Sequence, residues 1–369
     1  MKLTISKEQL INGLQAVQNI VSTRTTLPIL SNVLLRAEAG KLELTATDLD
    51  VTIACGVQGD VKRPGATTLP VKRLFGIVRE LAGQEIEMDV DEKNACSLRA
   101  GPSYYKINGL AAEEFPPLPQ FAEKKRITVA QEKLKSMLRK TSFAISTDET
   151  RFVLNGIFMS LKDQKATMVA TDGRRLALVE EEVDVPEESQ GEFIVPTKAI
   201  NELNRLLQVK GEVEVKFTDN QVAFTLKEET GFAILIISKL VEGNYPNYRL
   251  VIPGEAKERI ALAREELLHA LRRAEIMTSE KSNSVKLTFA KNNLAITANT
   301  PEVGEARESI AINYKGRDLA IAFNPLYLMD PLKAVDSDEI YLELIDELSP
   351  GVVKINGPFL YVLMPMRMS

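Results

Sequence analysis

The sequence predicts an α+β protein built from three similar domains, each with two helices and antiparallel sheets. Three observations carry this. A proline-led amphipathic stretch is written three times, as LPVKRLFGIVREL (69–81), VPTKAINELNRLL (195–207) and FNPLYLMDPLKAV (323–335). Its prolines fall at 70, 196 and 325, intervals of 126 and 129 residues, so the repeating unit is a whole domain. A second amphipathic stretch precedes each one, and between the helices the chain alternates apolar and polar residues at period two.

The earlier helix of each unit lies in SKEQLINGLQAVQNIVS (6–22), VAQEKLKSMLRKTSFA (129–144) and LAREELLHALRRAEIM (262–277). Leu10 and Leu14, Leu134 and Leu138, and Leu267 and Leu271 give each helix an i, i+4 leucine pair, hence one apolar face. Strands are expected at KLELTAT (41–47), EVEVKFT (212–218), VKLTF (285–289) and EIYLELI (339–345), with turns at Ala39-Gly40, Asp219-Asn220, Lys291-Asn292-Asn293 and Asn356-Gly357. Each unit therefore reads as helix, strands, helix, strands. A further echo, LTATDLD (44–50), MVATDGR (168–174) and AITANTP (295–301), places strand ends in register, and EEFPPL (113–118) echoes EGNYPNY (242–248). Pro331 falls inside the last helical pattern and is expected to break or kink it. The domains are placed at 1–121, 127–249 and 250–369. Proline-bearing linkers without Gly/Ser character join them, so they are expected to be fixed relative to one another.

Composition excludes several classes. No run of 18 apolar residues exists, so no membrane span is expected, and the first residues lack a secretory apolar core. Cys55 and Cys96 are too few for a disulfide framework and fit a reducing cytoplasm. With His269 as the single histidine, a zinc site or a histidine-based catalytic centre has little to build from, and His269 is expected to be a solvated surface residue.

The net charge of −5 argues against a chain coated by nucleic acid, but the charge is unevenly placed. Over 6–22, 70–82, 129–144, 196–210, 262–277 and 324–334 there are 15 basic and 8 acidic residues, leaving the helices at +7 and everything else at −12. Helices accept Glu as readily as Lys, so the sign needs a cause. A shared face of helices turned to a polyanion, with acidic sheets outside, supplies one. Helices about 10 Å wide set the scale: six side by side enclose a gap of roughly 9 Å, twelve one of roughly 28 Å. Only twelve admit a duplex. One chain is then half a ring, closed by a second copy head to tail.

The segments TLPILSNVLL (26–35), GATTLP (65–70), LNGIF (154–158), VATDGRRLA (169–177), SKLVEGNYPNYRLVIP (238–253) and YVLMPMR (361–367) give the chain, over its whole length, a resemblance to the bacterial β sliding clamps, the processivity subunits of the replicative DNA polymerase. The resemblance implies the DNA-clamp fold in a homodimeric ring, sequence-independent contact with duplex DNA, no cofactor, no metal and no catalysis. It implies loading by an ATP-driven clamp loader. It further implies partnership with the polymerase catalytic subunit, other polymerases and repair proteins through short apolar motifs.

Residue by residue, the resemblance assigns DNA contacts to Arg24, Arg73 and Lys198, and further to Arg151 and Lys281, all directed at phosphate. Before Arg151 the chain has Thr147-Asp148 where the family often has His-Gln. A partner-peptide groove is assigned to Leu154, Thr171, Gly173, Arg174, Arg175, Leu176, Pro246, Val251, Asn324, Tyr327, Val362, Met364, Pro365, Met366 and Arg367. Methionines suit a surface that re-packs around many ligands. Arg174 stands where a His is frequent, and Leu250 where a second Arg can follow Tyr-Arg. The dimer seam is assigned to an edge strand holding Arg99, Tyr105, Lys106 and Ile107, faced by Ile276, Met277, Glu302, Glu305 and Glu308.

Two rival readings make different demands. A two-metal nuclease would use Asp48, Asp148 and Asp172, but the Thr-Asp pairs read as turns or caps in separate domains. A scaffold binding proteins alone would explain the Met-Pro-Met tail and leave the basic helices without a role.

Overall fold

A computed structural model describes residues 1–21, 27–119, 121, 125–228, 232–279 and 282–367. Among the described residues the six α-helices are α1 (Lys7–Val17), α2 (Val71–Glu80), α3 (Gln131–Thr141), α4 (Thr197–Leu206), α5 (Arg264–Glu275) and α6 (Pro325–Ala334). The leucine pairs on α1, α3 and α5 are all buried, as their spacing predicts. Burying one such side chain stabilises by about 1.5–3 kcal/mol. On α1 the contact with the sheet is so close that a Cβ at Gly13 would lie 2.8 Å from Leu44 Cδ1.

One expectation is reversed at the start of each repeat. A short strand precedes each leading helix: Lys2–Ser6, Lys125–Ala130 and Glu258–Ala263. Their alternating residues run without a break into the helical pattern, which hides them.

The chain folds into two compact units. One comprises Met1–Lys135, Pro186–Gln190 and Lys198–Leu240; the other comprises Ser136–Val185, Gly191–Thr197 and Val241–Ser369. The first unit has a five-stranded sheet in the order Asp60–Arg63, Lys2–Ser6, Glu85–Val90, Ala95–Ala100, Ser103–Asn108. Its eight-stranded sheet joins Lys125–Ala130, Glu212–Phe217, Gln221–Lys227 and Ala233–Lys239 to Val51–Gln58, Lys41–Thr47, Asn32–Glu38 and Gly65–Pro70. The junction pairs Ile236 with Ile53.

The second unit repeats the plan. Gly191–Pro196, Gly156–Lys162, Lys165–Thr171 and Arg175–Glu182 continue into Phe359–Leu363, Gly351–Lys354, Glu339–Leu344 and Glu258–Ala263. Here the junction pairs Leu176 with Val362. A four-stranded sheet runs Gly304–Ala311, Asn293–Thr300, Val285–Ala290, Leu319–Phe323. Pairing is antiparallel throughout these two junctions, and each eight-stranded sheet draws four strands from the middle repeat.

Pro331 does not break its helix; α6 continues to Ala334. The carbonyl left without a donor is that of Tyr327, and the Tyr361 hydroxyl donates to it at 2.8 Å. Asn324 caps the helix start, its Oδ1 accepting from the N–H groups of Leu326 and Tyr327 at 2.9 and 3.3 Å.

The basic excess on the helices is in part structural, a second cause beside attraction to a polyanion. Lys7 on α1 donates to the carbonyl of Leu81, at the end of α2. Lys135 on α3 donates to the Leu207 carbonyl just beyond α4, at 2.8 Å. Arg264 on α5 donates to the Leu332 carbonyl in the last turn of α6, at 3.0 Å, and to Ser337 O at 2.7 Å. In all three repeats, then, a cation on the first helix serves the carbonyl end of the second, where the helix dipole favours positive charge. Arg205 on α4 does the same for Gln15 O and Ala16 O in α1, at 2.8 and 2.7 Å.

Candidate functional site

The groove residues assigned from sequence all lie in the second unit. They are organised by the turn between Thr171 and Arg175. Asp172 Oδ1 accepts from Arg174 N–H at 2.9 Å and Arg175 N–H at 3.1 Å, and Thr171 Oγ accepts from Gly173 N–H at 3.1 Å. Gly173 has φ +87°, and a Cβ there would stand 2.6 Å from Arg151 Nη1. The φ favours glycine, and a side chain there would have to displace the Arg151 guanidinium.

The terminal segment is stitched to this turn. Met364 N–H donates to Arg174 O at 3.0 Å, and Met366 N–H to Ala322 O at 2.8 Å. The backbone is thus held while the Met364 and Met366 side chains stay exposed, by 46% and 38%. Leu176 and Val362 pair across the sheet and form a buried floor with Val169. Phe158, Leu178, Leu360, Tyr245, Tyr248 and Ile252 pack against that floor, with the Phe158 and Tyr245 rings stacked at 5.1 Å. Burial pushes the Tyr245 phenol well above its ordinary range. Pro246, Val251, Arg174 and Arg367 are exposed. Leu154 is buried and does not form part of an open wall.

Arg175 belongs to the opposite face of the sheet from Leu176, because strand side chains alternate, and on that face it meets Tyr327 of α6. Arg175 is only 10% exposed. Its Nε donates to Asp172 at 3.0 Å, Nη1 to Asp330 at 2.5 Å and Nη2 to Phe143 O at 2.6 Å, while its guanidinium lies 4.2 Å from the Tyr327 ring centroid. The assignment of Arg175 to the groove surface is therefore corrected. It pins the Asp172 turn to α6 from beneath.

Sequence reasoning did not single out Phe152 or Leu326 in this unit, and it noted Leu250 only as a departure from the family pattern. Phe152 is exposed, Leu326 on α6 is exposed, and Leu250 is 82% exposed on the 3-10 turn Tyr248–Val251 beside Val251. Leu250 was legible as a departure from Tyr-Arg-Arg; Phe152 and Leu326 look like ordinary core residues in sequence.

The DNA-directed assignments fare differently. Arg24 and Lys281 lie outside the described residues. Arg73 is exposed on α2. Lys198, near the start of α4, forms an ion pair with Asp48. Arg151 is engaged by Asp148, Nε to Oδ2 at 2.9 Å. The Thr150 hydroxyl and N–H, with Arg151, hold the Asp148 carboxyl below the usual carboxylate range. Asp48, Asp148 and Asp172 all accept backbone N–H bonds in their own turns, the role expected for them.

Ser103–Asn108 in the first unit and Gly304–Ala311 in the second are each an edge strand of their sheet. Such edges are templates for further pairing. Tyr105 and Lys106 are exposed on the first. Arg99 is not on it; it lies on the neighbouring strand Ala95–Ala100, opposite Tyr104, with its guanidinium 5.5 Å from that ring centroid. Ile107 is 4% exposed and points into the core. The second edge has Glu305 exposed, with Glu302 exposed just before it, and Ile276 is 71% exposed. Met277 anchors the segment through its carbonyl, which accepts from Thr300 Oγ at 2.7 Å. Glu308 is committed within the unit, to Arg273 at 2.5 Å, which holds its carboxyl below the usual range.

Three domain models of the DNA polymerase III beta subunit match the chain in order: the N-terminal domain over residues 1–119, the central domain over 128–247 and the C-terminal domain over 249–367. The chain belongs to the DNA polymerase III beta subunit family. Among its relatives, the beta sliding clamp of Chlamydia pneumoniae is 35% identical over 368 residues, covering 100% of this chain and 99% of that protein. That of Bacillus subtilis is 32% identical with complete coverage of both. Among solved structures, a sliding clamp of Bartonella birtlesii bound to griselimycin superposes with a TM-score of 0.94 at 35% identity, and the beta subunit of Pseudomonas aeruginosa with 0.94 at 34%, each over 100% of both chains. The fold is that of the family, three repeated α+β domains.

Proposed function

We propose that the chain is a sliding clamp that encircles duplex DNA as a head-to-tail homodimer and tethers the replicative polymerase, conferring processivity without a catalytic step. The match of three family domains, in order and over the full length, carries this reading. Two of the edge strands support the dimer: one copy's Ser103–Asn108 would pair with the other's Gly304–Ala311, adding Tyr105 and Lys106 against Ile276, Glu302 and Glu305. Apolar contact flanked by opposite charges suits a closing seam. The three turn aspartates are spent on backbone N–H groups, which supports a tether over a nuclease. A clamp acting on chromosomal DNA would reside in the cytoplasm.

The exposed Met364, Met366, Leu250 and Val251 rim a surface for an extended partner segment with apolar anchors, of the kind carried by the polymerase catalytic subunit, the clamp loader, other polymerases and repair proteins. Encirclement is tested on DNA topology. Clamp loaded onto nicked circular plasmid is expected to stay bound in high salt and to run off when the plasmid is linearised. Equal loss from both forms would overturn the reading. A mass of one chain, 40.9 kDa, at every concentration would overturn the dimer.

A further inference from the structure

Asp48 holds Lys198 with a carboxylate that the fold has already aimed. Asp48 Oδ1 accepts from the N–H groups of Asp50 and Val51 at 3.1 and 2.8 Å. Thr47 Oγ braces the same turn by accepting from Leu49 N–H at 3.1 Å. Only Oδ2 is left over, and it meets Lys198 Nζ. The lysine side chain is 46% exposed, the carboxylate 18%. The second repeat builds the same turn around Asp172, but its cation, Arg175, is buried and shared with Asp330. One turn therefore holds a structural cation, and the other holds a cation that remains in solvent. An exposed pair contributes little to stability.

We propose that Asp48 is a positioning residue for DNA, holding Lys198 in competition with phosphate so that the lysine attracts the duplex without gripping it. This rests on Lys198 being a DNA-facing residue of a clamp. A cation already paired must give up its carboxylate to take a phosphate, so the net gain per contact falls and fewer counterions are released. A ring that moves along DNA needs attraction with shallow barriers between successive phosphates, and a fixed competing carboxylate supplies that.

The test is the affinity of the full chain for a short blunt-ended duplex, measured by fluorescence anisotropy over a series of KCl concentrations. Asp48→Asn keeps the Oδ1 acceptor and removes the charge. It is expected to tighten binding about 2- to 5-fold, the range open to one exposed ion pair, and to steepen the salt dependence. Lys198→Ala is expected to weaken binding and to abolish the effect of Asp48→Asn when the two are combined. Asp50→Asn, which removes an equal charge two residues away and frees Lys239, is expected to leave the salt slope unchanged. Asp48→Ser, which retains an acceptor for the turn, replaces Asp48→Asn if that variant unfolds. Equal effects of Asp48→Asn and Asp50→Asn, or an undiminished gain in the Lys198→Ala background, would reduce the result to net charge and overturn the proposal. An inert Lys198→Ala would overturn it too while leaving the clamp reading intact, since that reading fails only on the plasmid topology.

Discussion

The Tyr361 hydroxyl donates to the Tyr327 carbonyl at 2.8 Å, the one helical carbonyl that Pro331 cannot serve. A strand side chain thereby replaces a missing helix bond, and α6 continues through its proline. Tyr361→Phe is expected to cost about 1–3 kcal/mol by leaving that acceptor unpaired in the interior. Urea unfolding checks this, and the cost should shrink in the presence of Pro331→Ala, which restores the backbone donor.

Leu49 and Gly173 occupy the same turn position in two repeats, at φ +80° and +87°. A leucine there is strained, and its side chain is exposed. Leu49→Gly is expected to stabilise by about 1 kcal/mol, the relief of strain exceeding the added chain entropy. Gly173→Ala is expected to destabilise and to displace Arg151. Thermal unfolding midpoints should move in opposite directions for the two variants.

Arg175 is enclosed by two carboxylates, a carbonyl and an aromatic ring. Arg175→Ala leaves Asp172 and Asp330 facing one another and is expected to cost about 3–5 kcal/mol. Arg175→Lys cannot reproduce the fork and should recover only part of this. Denaturant titration reads the stability; binding of a peptide with apolar anchors should fall with it.

Met364 and Met366 are exposed on a backbone fixed at both ends. Replacing both by Ala is expected to weaken such a peptide by about 1–3 kcal/mol, as for anchors at an interface centre, with no change in unfolding. Leu250→Arg is expected to shift preference toward peptides with an acidic flank, measured by competition between neutral and acidic peptides.

Cys55 and Cys96 are buried, and burial pushes both thiols up to about 12. Their folded pKa values lie above the unfolded value of 9.0. The unfolded chain therefore loses these protons first, and the stability they contribute is complete below pH 9 and lost as pH rises from there toward 12. Alkylation by iodoacetamide at pH 8 is expected to follow unfolding of the first unit, measured by mass spectrometry in graded urea. Rapid labelling of the native protein would contradict this.

Much of this protein was legible in its sequence because the signals are local. The helix pairs follow from leucines at i and i+4, the strands from alternation, and the turns from Thr-Asp, whose side chains bond their own backbone. The threefold period announced repeated domains. Local pattern did not show that each repeat opens on a strand, since alternation merges there with the helical period. Nor did it show that Lys7, Lys135 and Arg264 serve helix ends, since each partner lies over sixty residues away.

By itself, then, the sequence determined the α+β class, the threefold plan and the kind of residue at each site. Tertiary structure alone decided what those residues touch. Antiparallel pairing of Leu176 with Val362 put one face of neighbouring residues outward and the other inward, so Arg175 became a buried clamp while Arg174 stayed in solvent. The same logic turned Ile107 into the core beside exposed Lys106. Sequence specifies the alternation, but which face is buried depends on what the rest of the chain brings against it, and that is a property of the packed structure.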